Sequence, residues 1–135
     1  DDTDMMLAIK TGLTLGQKEF YLFGGVGGRM DHTLANIQSL IYLSRSGARG
    51  FLIGNGTEMT ILSDGIYQFD AEHKGMISVF SMNEKATGID LVNLKYPLQN
   101  AVLTNDMPLG ISNEFIGIAS EVRVKKGTLL LIWNY

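Results

Sequence analysis

No cysteine occurs in this chain, which excludes a disulfide framework and any thiolate metal site and fits a reducing cytoplasm. Long apolar runs are missing as well. None approaches the roughly 18 residues that a membrane-crossing helix needs, and no stretch reads as a signal peptide, so a soluble chain with no membrane partner is expected. Basic residues are outnumbered, 11 Lys and Arg against 14 Asp and Glu, for a net charge of −3. That leaves no global positive field to attract nucleic acid. Internal repeats and low-complexity linkers are absent too, so the parts of the chain are expected to pack directly on one another. Charged residues make up only 19% and apolar ones 45% of 135 residues. This composition argues against disorder and allows a real core in one ordinary domain or two small ones.

What the chain does have is a glycine-rich stretch, Gly24-Gly25-Val26-Gly27-Gly28-Arg29-Met30-Asp31-His32. It follows the short apolar run Phe20-Tyr21-Leu22-Phe23 and opens into a segment of helical periodicity. Glycines let the backbone turn sharply and approach another group closely. With a helix N-terminus behind them, their N–H groups form a natural cradle for an anion. Arg29 and Asp31 stand at its mouth. A Walker A loop would need Lys-Ser/Thr after the last glycine, and a dinucleotide fingerprint would need a third glycine where Met30 stands. Phosphate binding and a tight strand-to-helix turn both remain open on the pattern alone. His32, in the first turn, is a surface residue or a ligand contact.

Asp1-Asp2-Thr3-Asp4 crowds three carboxylates against a helix start, with Met6, Ile9 and Leu13 on one stripe and Gly16 as a stop. Acids and Thr suit a helix N-terminus as caps. Clustered carboxylates also repel one another and are candidate ligands for a hard cation such as Mg²⁺. Phe20–Phe23 reads as a buried strand. A helix is expected from Asp31 to about Ser46, with Leu34, Ile37 and Ile41 on one face and Leu40 beside them, and Phe51–Ile53 as the next strand. The chain opens at Asp1 directly on such chemistry, and a portion N-terminal to it is expected. The structure should then show a partial α/β layer of two helices and few parallel strands, with an exposed apolar face.

After Gly54-Asn55-Gly56 short β-type runs alternate with turn signals. Met59–Leu62 and Ile66–Phe69 read as a hairpin around Ser63-Asp64-Gly65. Met76–Met82, Gly88–Tyr96 and Gln99–Leu103 are further strands, with Pro97 at a break or an edge. Val122 and Val124 alternate with Arg123 and Lys125, Lys126-Gly127 turns, and Leu129–Trp133 is a last buried strand. The expected fold class is a partial α/β, parallel-sheet layer over residues 1–54, followed over 55–135 by an antiparallel β-sandwich or jelly roll. The polar island Gly110-Ile111-Ser112-Asn113-Glu114-Phe115 is, by itself, a loop whose side chains bond their own backbone. Trp133 belongs to the core.

Three stretches together resemble the thiamine pyrophosphokinase family: Asp-x-Thr-Asp at Asp1, Thr3 and Asp4, then Gly27-Gly28-Arg29-Met30-Asp31-His32, then Ser112-Asn113 late in a β-rich tail. The resemblance implies transfer of a pyrophosphoryl group from ATP to thiamine. It implies an α/β ATP-binding catalytic part at 1–54, a thiamine-binding sandwich at 55–135, Mg²⁺, and a homodimer with thiamine pockets at the subunit interface. Carried over, Asp4 is a metal-linked catalytic carboxylate with Asp1 as its companion. Thr3, Gly27, Gly28 and Arg29 lie toward the ATP phosphates. Asp31, catalytic as well, and Ser112 and Asn113 lie toward thiamine. The family's earlier Gly-Asp-x-Asp-Ser motif does not occur in these residues. The residue types suit the chemistry, since phosphoryl transfer rests on positioning and on neutralising oxygens. Asp31 and Asp4 are the candidates for a base at thiamine's hydroxyl. Two other readings are a non-catalytic nucleotide- or thiamine-binding module and a purely structural sandwich.

Overall fold

A computed structural model describes residues 3–24, 26 and 28–135. Its elements run α1 (Asp4–Thr14), β1 (Glu19–Phe23), α2 (Met30–Arg45), β2 (Arg49–Gly54), β3 (Thr57–Phe69), β4 (Met76–Ser81), β5 (Lys85–Val92), β6 (Leu98–Thr104), β7 (Asn113–Glu114) and β8 (Ser120–Asn134). Thr3 starts α1 by capping it, its Oγ1 accepting the Met6 N–H at 3.1 Å. Among the described residues no helix is long and apolar enough to cross a membrane.

The strands run β1-β2-β3-β8-β4-β7 across one sheet, and β5 pairs with β8 and β6 off that path. Only β1–β2 is parallel, with α2 as its crossover; the other pairings described are antiparallel. Helices cover one face of the sheet. There Ile9, Leu22, Leu40, Leu43, Leu52, Met59, Ile61 and Leu130 form a core. On the other face Leu62, Ile77, Val79, Leu129, Leu131 and Trp133 pack against Ile89, Leu91, Leu103, Val122 and Val124 of the folded-over strands. Leu129–Trp133 is thus apolar at every position because both of its faces are covered.

Two expected hairpin turns are bulges instead. β3 continues through Ser63-Asp64-Gly65, and β8 continues through Lys126-Gly127, so the two long strands pair from Thr57↔Asn134 to Phe69↔Ser120 with a register shift at Ser63/Gly65. Asp64 takes φ 45° and Gly127 φ 138°, conformations that serve a turn and a bulge equally. The Asp64 carboxylate accepts the Gly127 N–H at 2.8 Å, locking one irregularity to the other. The bent ribbon carries both strands from the first sheet into the second, and this closes the sandwich.

Two burial expectations also need correction. β1 is an edge strand rather than a buried one: Leu22 is buried, but Tyr21 is 53% and Phe23 71% exposed. Its alternate residues point away from the helices, toward a face that no described layer covers. Leu34 is 59% exposed, because α2 turns Thr33, Leu40 and Leu43 inward instead. The expected partial layer is there, with two helices, one parallel pair and an exposed apolar face at Tyr21 and Phe23.

Candidate functional site

The first turn of α1, the C-terminal end of β1 and one side of α2 along its length to Arg45 line an open cleft of about 1270 Å³. Thr3 and Asp4 enter from α1, Phe23 and Gly24 from the end of β1, and Arg29, Asp31 and His32 from the start of α2. Ligands in open α/β sheets bind at this end of parallel strands, where helix N-termini gather. Gly24 takes φ 82° as the chain leaves β1 and Gly28 φ 65° just before Arg29, backbone conformations that glycine adopts freely.

No side chain caps α2. Instead the Asp31 carboxylate accepts the His32 N–H at 2.9 Å. Arg29 grips the same carboxylate with two donors, Nε at 3.2 Å and Nη2 at 2.7 Å. This hydrogen bonding from Arg29, more than the His32 N–H, holds the Asp31 carboxyl below the ordinary carboxylate range. Both side chains remain largely exposed, so the Arg29 donors not on Asp31 can meet an anion entering the cleft. Asp4, at the other wall, presents an exposed carboxylate. No group of three or more His, Asp or Glu gathers among the described residues. A cation that keeps its waters and takes phosphate oxygens needs only one or two carboxylates, so Asp4 with a hard cation is chemically consistent.

Of the residues singled out from sequence, the cleft brings together Thr3, Asp4, Arg29 and Asp31, with Gly28 immediately before Arg29. Asp1 and Gly27 lie outside the described residues. Ser112 and Asn113 are elsewhere, on and beside β7 at the opposite edge of the sheet from β1. Five strand spacings separate the two edges, roughly 24 Å along the sheet. Ser112 is exposed with φ 58°, its N–H donating to Ser78 Oγ at 3.0 Å. Asn113 is only 3% exposed. Its Oδ1 accepts the N–H groups of Tyr96 and Glu114, both at 2.9 Å, and its Nδ2 donates to the Tyr96 carbonyl at 2.7 Å. The amide mainly holds the 94–96 loop against β7.

Other cleft residues were not singled out from sequence. Gln38, Tyr42 and Arg45 line the cleft along α2; with Asp31 and Ala35 they repeat at helical spacing, a signal that was readable. Asn55 was read only as part of a turn, yet it donates from Nδ2 to the Val26 carbonyl inside the glycine loop, at 2.6 Å.

Comparison with known proteins bears on the whole chain. The family model described as "Thiamin pyrophosphokinase, catalytic domain" matches residues 1–52. The one described as "Thiamin pyrophosphokinase, vitamin B1 binding domain" matches residues 66–129. Thiamine pyrophosphokinase of Bacillus subtilis (strain 168) is 33% identical over 133 residues, 98% of this chain and 62% of that protein. The crystal structure of thiamine pyrophosphokinase from Bacillus subtilis superposes with a TM-score of 0.92 at 32% identity, covering 99% of this chain and 63% of the other. That of the thiamin pyrophosphokinase from Geobacillus thermodenitrificans gives 0.88 at 27% identity, covering 100% and 62%. The chain therefore spans a little over three fifths of the length of these relatives.

Proposed function

Because the chain belongs to the thiamin pyrophosphokinase family, we propose that it serves the transfer of a pyrophosphoryl group from ATP to thiamine, giving thiamine diphosphate and AMP. The observation that carries this reading is the convergence of Asp4, Arg29 and Asp31 on one cleft at the helix N-termini. Arg29 binds the phosphate oxygens, supported by the N–H groups at the start of α2 and by Gly27 and Gly28 beside it. Asp31 faces thiamine, whose cationic ring and amino group a carboxylate can hold. Asp4, with Asp1 as companion, would hold Mg²⁺, which when bound neutralises charge on the phosphates. Asp31 or Asp4 takes the proton of thiamine's hydroxyl.

The division falls at 54/55, with the phosphate chemistry before it and the thiamine-binding sandwich after it. Ser112 is the direct thiamine contact, and Asn113 shapes that contact through the loop it holds. Since Ser112 lies at the far edge of the sheet, each pocket is completed by a second copy of the chain in a two-fold homodimer. Exposed Met107, Leu109, Ile111, Ile116 and Ile118 around Ser112 supply an apolar surface for that contact. The cytoplasm, where ATP is abundant, is the compartment this reading expects.

Assaying AMP and thiamine diphosphate from ATP and thiamine, in parent and Asp4→Asn protein, tests the reading. Turnover in the parent and its loss in the variant, with a nearly unchanged melting temperature, is expected, because Thr3 and not Asp4 caps α1 and one exposed charge in the first turn contributes only about 0.3–1 kcal/mol. Full activity in the variant removes Asp4 from the site. A parent that binds both ligands without turnover leaves the chain a binding module.

A further inference from the structure

Among the described residues, the segment between β1 and α2 is tied to the β2–β3 turn at two points. The Gly24 N–H donates to the Ile53 carbonyl at 2.9 Å where the loop leaves β1. Two residues on, Asn55 reaches across from the β2–β3 turn and donates from Nδ2 to the Val26 carbonyl. Gly54 lies under the same loop; a Cβ there would come within 3.6 Å of both Gly24 and Val26. Asn55 itself takes φ 52°, a left-handed conformation that Asn tolerates better than most residues. Backbone shape and side-chain reach thus coincide at one residue, 29 positions away in sequence from the carbonyl it holds.

We propose that Asn55 is a positioning residue for the anion-binding loop, its amide pinning the Val26 carbonyl and so holding Arg29 at the mouth of the cleft. The proposal rests on the reading that this cleft takes the phosphates of ATP. A loop of glycines pays a large entropy cost on ordering, and a tether that orders it beforehand removes part of that cost from binding.

Two substitutions in the full chain separate the amide from the backbone. Asn55→Gly keeps the positive φ without strain and removes the donor. Asn55→Asp keeps the side-chain size but cannot donate to a carbonyl when ionised. ATP and thiamine are titrated by calorimetry, and hydrogen exchange is followed in the 24–29 segment. Both variants are expected to exchange faster there and to raise the ATP dissociation constant roughly tenfold, the scale of one lost hydrogen bond plus loop ordering. Thiamine affinity stays at the parent value, and the melting temperature falls by only a few degrees at most, the share of one exposed hydrogen bond. Unchanged exchange would show that the tether does not hold the loop, and unchanged ATP affinity that holding it does not serve the site; either overturns the proposal. A parent chain that binds no ATP removes the functional reading and this inference together, and does so before any substitution is made.

Discussion

The two ends of the sheet are built differently. β8 is buried on both faces, Leu130 entering the helix-side core and Leu129, Leu131 and Trp133 the sandwich core. At the β1–β2 end one face is covered by α2, while Tyr21 and Phe23 are exposed on the other. Polar groups follow the same division. In the sandwich, Asn113 and Asp64 spend their side chains on backbone N–H groups. Around the cleft, Asp4, Arg29 and Asp31 keep their charges exposed. The long β3–β8 ribbon thus contributes to both cores, while these exposed charged groups lie at the other end of the described sheet.

The largest expected effect sets the two ends against each other. Leu131→Ala, in the sandwich core, should cost about 2–5 kcal/mol through lost transfer energy and the cavity left behind. Phe23→Ala, on the exposed face, should cost under about 1 kcal/mol. Denaturant unfolding of both variants measures the difference, and equal losses would break the comparison.

Asn113→Ala comes next. It leaves the N–H and carbonyl of Tyr96 without their side-chain partner in a half-buried loop, a loss of about 1–3 kcal/mol. A melting curve should show that drop, and a thiamine titration beside it should show weaker binding because the loop beside Ser112 loosens. Thiamine affinity equal to the parent's would confine Asn113 to holding the loop.

The smallest effect lies where the two ends meet, at Glu58. Burial pushes its carboxyl above the ordinary value, with His73 and the Trp133 indole N–H acting in the opposite direction. A carboxyl whose folded pKa is raised destabilises the fold when ionised, and the penalty disappears as pH falls through that raised value toward the unfolded one. Glu58→Gln keeps an acceptor for Trp133 and loses the charge. It should be slightly more stable than the parent at neutral pH, with the gap closing on acidification. Urea midpoints at several pH values would show it; a variant less stable at neutral pH would mean that the attraction to His73 outweighs burial.

Much of this was legible along the chain. The glycines before Arg29, the stripe of Met6, Ile9 and Leu13, and the unbroken apolar run ending at Trp133 each announced an element of the right type. Asp4, Arg29 and Asp31 stood out by residue type, as charges suited to a cation and a phosphate, and the structure brings all three to one cleft. The failures share a cause. Asp64 and Gly127 carry the φ angles of a turn, and a turn and a bulge look alike until the partner strand is known. β1 looks buried because its residues are apolar, but burial depends on what lies over it.

The amino-acid sequence by itself determined where the backbone bends, which stretches are helical or extended, and which charged groups stand beside the glycine loop. These depend on side-chain shape and on neighbours a few residues away, so they are local properties. Only the tertiary structure decided that Asp64 meets Gly127, that Asn113 holds Tyr96, that Asn55 reaches Val26, and that Ser112 stands at the edge of the sheet remote from Arg29. Each of these depends on strand register, and register is set by long-range packing in which one residue of slip exchanges the two faces of a strand.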